Sequence, residues 1–143
     1  MLRIEGAVAQ PITLTLDDLR DHYQPYHVET TYANDNRVAK VSFTGVRLWD
    51  ILEDTGVISN MDHPELMRVT VRSVDGFRCI VKWSEFDPAA DNKMILVAYI
   101  QDGQPIQSKH GPLRLVVPGD AQGLRYIGNL ATITVLNSRA GDE

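Results

Sequence analysis

The chain has 143 residues, of which 43% are hydrophobic and 23% charged, with a formal net charge of −5 and a pI near 5.3. That length is enough to bury an independent core without staples, so a single domain over residues 1–143 is expected. The acidic balance and scattered placement of the 14 basic residues argue against a nucleic-acid partner, which needs clustered Lys and Arg. One cysteine, Cys79, rules out an intramolecular disulfide and cysteine-based zinc clusters.

In chain order, Leu2-Arg3-Ile4 and Pro11-Ile12-Thr13-Leu14 read as a short opening β-hairpin around Gly6. Thr15 takes the position of a helix N-cap, with Asp18 three residues on approximating a capping box. Leu16, Leu19 and Tyr23 then fall on one helical face and Asp17, Asp18 and Asp21 on the other. His27 to Ala33 and Val38 to Phe43 are rich in Val, Thr, Tyr and Phe, which predicts paired strands around Asn34-Asp35-Asn36. A second helix is expected from Leu48 to Thr55, with Gly56 ending it and Leu48, Ile51 and Leu52 as its apolar face.

Val69 to Val74 and Phe77 to Val81 flank Asp75-Gly76, a strong hairpin signal. Alternation in the second of these strands puts Cys79 on the same face as Phe77 and Val81, as a small buried hydrophobe rather than a reactive thiol. Met94 to Ile100 is the longest apolar run, too short to cross a bilayer. Asp102-Gly103 turns the chain, Leu113 to Val117 forms another strand closed by Pro118-Gly119, and Ala131 to Leu136 is the last. Strands dominate and the helices are too short for βαβ crossovers, so the expected class is α+β with a mostly antiparallel, curled sheet system and a few short helices.

Arg3 and Glu5 interrupt any apolar leader at the start. The expected product is soluble, periplasmic if a signal peptide has been removed and otherwise cytoplasmic, with no transmembrane segment. No GxSxG, HExxH, CxxC, Walker A or GxGxxG pattern occurs, and His22, His27, His63 and His110 show no metal-ligand spacing. They read as surface or capping histidines. Met61, Met67 and Met94 read as core or gap fillers.

Four blocks carry a family resemblance. Leu2-x-Ile4-x-Gly6 followed by Pro11-x-Thr13-Leu14-Thr15-Leu16-Asp17-Asp18-Leu19 is similar to the start of sulfite-oxidase-like molybdopterin-binding domains. Phe43-Thr44-Gly45-Val46-Arg47-Leu48-Trp49-Asp50-Ile51-Leu52 and the hairpin Ser73-Val74-Asp75-Gly76-Phe77 resemble the family's next segments. Ala98 to Ile106, then His110-Gly111-Pro112-Leu113-Arg114-Leu115-Val116-Val117-Pro118-Gly119, is the most specific stretch. The resemblance implies the sulfite-oxidase-type molybdopterin-binding α+β fold of mixed β layers.

It also implies a site, and there the chain departs from the family. In family enzymes a pterin dithiolene and one protein cysteine hold molybdenum. The matching place here, after the strand His27 to Thr31, falls at Tyr32 or Ala33, and Cys79 lies in another block. Tyr32 as an oxygen ligand is the only alternative there. Family enzymes bind the pterin phosphate with arginine and lysine after the Pro-Gly turn. Here Arg125 retains a basic group, Gly128 stands in place of lysine, and Asp120 adds negative charge in a longer turn, Asp120-Ala121-Gln122.

The expected function is therefore a molybdopterin-binding-domain-like module without a competent metal site. It would take an anionic small molecule near Arg125, His110 and Lys109, or a protein partner, with no cofactor of its own. The alternative is a molybdenum-cofactor oxidoreductase of the sulfite oxidase type with an atypical metal site, in which molybdopterin is the cofactor. Whether the chain is an enzyme stays open at this point.

Overall fold

A computed structural model describes residues 2–34, 37–56, 67–106, 111–119 and 125–137, without the side chains of residues 32–39 and 137. Among these, ten strands and three short helices form two five-stranded sheets. The first sheet runs β2 (Ile12–Leu14), β1 (Leu2–Gly6), β10 (Leu130–Asn137), β5 (Met67–Ser73), β6 (Arg78–Lys82). The second runs β3 (Tyr26–Asn34), β4 (Arg37–Arg47), β7 (Leu96–Gln101), with β8 (Gln104–Pro105) and β9 (Arg114–Val116) both on the far edge of β7. Every pairing is antiparallel except β1 with β10, which is parallel with Arg3 opposite Thr132. The class is α+β.

Period-2 patterning decides which side of each strand is covered. In β5, Met67, Val69, Val71 and Ser73 are buried while Arg68, Thr70 and Arg72 point the other way. Ile133 and Val135 of β10 and Leu2 and Ile4 of β1 join that inner face. Phe43 and Val46 of β4, Leu96 to Tyr99 of β7 and Leu115 and Val116 of β9 supply the facing layer, in the same buried cluster. Met94 packs against this core and Met67 lies within it. Met61 and His63 lie outside the described residues.

The helices pack against these layers and add Leu19, Leu48, Trp83 and Phe86 to the core. In α1 (Leu16–His22), Thr15 accepts from the Asp18 amide and the Asp18 carboxylate accepts from the Thr15 amide. This is the capping box read from the sequence, and the Thr15 backbone hydrogen bond is the main cause of an Asp18 pKa below the usual range. Helix α2 (Leu48–Thr55) ends at Gly56 in the left-handed conformation and buries Leu48, Ile51 and Leu52. The Tyr23 hydroxyl donates to Asp54 at 2.7 Å, which joins the end of α1 to α2. Burial, then the Asp54 hydrogen bond, pushes this phenol well above its ordinary pKa. The third helix, α3 (Trp83–Phe86), packs Trp83 and Phe86 against Trp49 of α2 at 5.5 and 6.3 Å between ring centroids.

Two expectations need correcting. Phe77 is 67% exposed, because it sits in the hairpin before β6 begins rather than on the inner face with Val81. Cys79 does alternate inward opposite Val71, but near the strand's open end it is only half-buried.

Candidate functional site

The site implied by the sequence lies where β3, β9 and the segment after the Pro-Gly turn converge. That segment is latched onto β9: the Leu115 amide donates to the Ile127 carbonyl at 2.9 Å, and Arg114 bridges to Gly128. Tyr126, only 3% exposed, is held through its ring and hydroxyl at once. Its ring tilts against Phe43 with centroids 6.1 Å apart, and its hydroxyl shares a 2.9 Å hydrogen bond with Thr30 of β3. Thr30 precedes Tyr32 by two positions in β3.

Arg114 supports this junction from below. A strand as apolar as Leu113 to Val117 buries its one guanidinium to 6% exposure, which is costly unless acceptors are supplied. Its Nε donates to the Tyr126 carbonyl at 3.0 Å and one terminal nitrogen donates to Gln101 Oε1 at 3.1 Å. The guanidinium carbon also lies 5.9 Å from the Phe43 ring centroid.

Arg125, next to Tyr126 in the chain, is engaged on the other side, at β6 and α3. Its guanidinium grips both carboxylate oxygens of Glu85 in α3, at 2.7 and 2.6 Å, and donates to the Ile80 carbonyl of β6 at 3.2 Å. Glu85 in turn accepts from the Lys82 amide at 2.9 Å and from Lys93 Nζ at 3.3 Å. The Arg125 hydrogen bonds, against an opposing contribution from burial, hold the Glu85 carboxyl at about 2. A bidentate pair of this kind is among the stronger charge-assisted contacts a protein makes.

The structure thus brings the chain around Arg125 beside β3 through Tyr126 and Thr30, while the Arg125 guanidinium is occupied on the β6–α3 side. The Tyr32 side chain, Lys109 and His110, and the turn 120–124, lie outside the described residues. His27 shares a 2.6 Å hydrogen bond between its Nδ1 and the Thr44 hydroxyl. His22 sits 3.9 Å from Asp18 on the surface of α1. Both are the ordinary histidines expected. Among the described residues no group of three or more His, Cys, Asp or Glu is placed to hold a metal ion, and no helix is long and apolar enough to cross a membrane.

Sequence reasoning gave no role to Arg114, Tyr126 or Glu85. A lone arginine inside an apolar strand was the available signal for Arg114, since only a hydrogen-bonded guanidinium is buried there. Nothing local marks Glu85 as the partner of a residue 40 positions away.

The family model of the oxidoreductase molybdopterin-binding domain aligns with residues 1–142. The chain belongs to this family. The sulfite-oxidase-like resemblance of the four sequence blocks agrees with that membership, which spans both sheets and all three helices. No curated protein matches the chain.

Proposed function

We propose that this molybdopterin-binding-family domain acts as a binding module for an anionic small molecule or a protein partner, without a competent molybdenum site. The observation that carries the reading is the placement of its sulfur. The one cysteine, Cys79, lies on β6 of the first sheet, whereas the family's thiolate position corresponds to Tyr32 or Ala33 on β3 of the second. A molybdenum centre held by dithiolene and thiolate needs a soft ligand, and neither residue supplies one. The donor set in this chain does not fit that group.

For the anionic ligand we assign Arg125, Lys109 and His110 as the binding groups, with Tyr32 alongside. An anion reaching Arg125 competes with the Glu85 carboxylate, so the site favours a ligand able to replace both of its oxygens, as a phosphate or a carboxylate does. The second reading, a molybdenum-cofactor oxidoreductase of the sulfite oxidase type, is favoured by the family match over residues 1–142.

Elemental analysis for molybdenum, with pterin fluorescence after acid oxidation, decides between the two on protein made in a host that synthesises the cofactor. The binding-module reading expects neither in a folded sample, and stoichiometric amounts of both would overturn it. Phosphate titrated into the same preparation should bind the parent protein and lose affinity with Arg125→Ala. An unchanged affinity would remove Arg125 from the site.

A further inference from the structure

The outer face of the first sheet carries charge that the site above does not use. Residues pointing away from the core on β1, β10, β5 and β6 include Arg3, Arg68, Arg72, Arg78 and Lys82, against a single carboxylate among the described residues of these strands, Glu5. This concentration of cations stands on a chain whose net charge is −5. Strand register sets them in rows: Arg3 is opposite Thr132, Thr132 opposite Arg72, and Arg72 opposite Arg78. In the next row Glu5, Thr134, Thr70 and Ile80 are in line, and beyond it Leu136, Arg68 and Lys82. Arg72 and Arg78 have no ion pair among the described residues. They border an open groove of about 870 Å³ whose floor includes Thr70, Thr134 and Ile80.

The groove has an apolar end. Val74 and Ile80, which line it, are 66% and 50% exposed, and Phe77 in the hairpin beside it is 67% exposed; among the described residues these are the large apolar side chains left in solvent. All three belong to the β5–β6 hairpin or β6 itself. A second hollow of about 650 Å³ adjoins the first through Arg68 and Ile80 and is lined by Met67, Trp83 and Ala90.

We propose that this face docks an acidic segment of a partner protein, one that combines carboxylates with an apolar anchor. Three features select that occupant. Arg3 is paired with Glu5 at 2.9 Å, whereas Arg72, Arg78 and Lys82 have no ion pair among the described residues and extend over about 13 Å along β6 at the usual strand rise, which a single phosphate does not span. The exposed aromatic and aliphatic groups at one end match the apolar centre of a protein interface. The acidic remainder of the molecule repels nucleic acid while orienting an acidic partner toward this one face. The partner lies across the face and does not extend the sheet, because the Ile80 carbonyl on the β6 edge already accepts from Arg125. Arg125 reaches the edge of this surface at the Ile80 carbonyl, but it is not among the cations invoked here and the proposal does not rest on its anion site.

The test uses the full chain and a fluorescein-labelled peptide of alternating glutamate and leucine, followed by anisotropy at low and high salt. The parent protein is expected to bind the peptide in a salt-sensitive way. The double substitution R72E/R78E should weaken binding by roughly tenfold or more, as charge reversal in a complementary interface does. R72Q/R78Q should weaken it less, and I80D should weaken it at high salt as well. Near-ultraviolet dichroism from Trp49 and Trp83 confirms that each variant is folded. Absence of peptide binding, or binding indifferent to all three variants, would overturn the proposal. So would stronger binding of inorganic phosphate, duplex DNA or phosphatidylglycerol vesicles at the same residues.

Discussion

Glu85 is the residue on which most of the polar architecture at the β6–α3 corner depends. It gathers Arg125, Lys93 and the Lys82 amide on two oxygens, and its side chain is 12% exposed. Its folded pKa of about 2 lies below the ordinary 4.5. Stabilisation from this group is therefore complete above pH 4.5 and disappears as the pH falls through 2. Glu85→Gln should cost on the order of 1–3 kcal/mol at neutral pH, after allowance for screening at this partly open corner. Urea denaturation should show the gap between variant and parent closing as the pH approaches 2. A gap independent of pH would mean that the charge on Glu85 contributes little.

At the scale of elements, Gly45 shows how a local choice fixes a long-range contact. The β4–β7 register shifts between Thr44 and Gly45, and a Cβ at Gly45 would run into the Val97 carbonyl and the Ala98 Cα. In the sequence this glycine stands only as one residue of a family-like block, whereas its role is the close approach of two central strands. Gly45→Ala should destabilise the fold by about 1–3 kcal/mol, the usual scale for overpacking, measurable as a lower urea midpoint. A variant as stable as the parent would show that β7 can move aside.

The elements that the sequence made legible are those set by neighbours in the chain. The capping box at Thr15, the α2 limits at Leu48 and Thr55, the left-handed Gly56 and the Asp75-Gly76 turn all depend on a few adjacent residues. The short α3 is not legible in the sequence, because four residues give no helical period to read. The division of strands between two sheets was also illegible, since it depends on pairings such as Arg3 with Thr132 that no local pattern encodes. The same applies to the site: Arg125 was singled out from its motif, but its partner Glu85 is distant in sequence.

At the scale of the whole molecule, both sheets contribute to one buried cluster, with Leu2, Ile4 and Ile133 from one and Phe43, Leu96 and Leu115 from the other. A shared core of this kind should unfold in a single step. Fluorescence of Trp49 and Trp83, together with far-ultraviolet dichroism, is expected to report coincident transitions in urea. Two separated transitions would argue that the sheets are independent units and would contradict a single domain over residues 1–143.

The parallel pairing of β1 with β10 has a consequence for the order of assembly. Arg3 meets Thr132, so β1, the first of the described strands, is completed by β10, the last of them. On an elongating ribosome, the opening hairpin and the β5–β6 hairpin both emerge before the strand that lies between them exists. The first sheet can close only after β10 has emerged, and it bears the entropy of its largest loop at that step. Until then two half-sheets each present an unpaired edge, and the nascent chain depends on its second sheet, which draws on residues from the middle of the sequence, to stay compact.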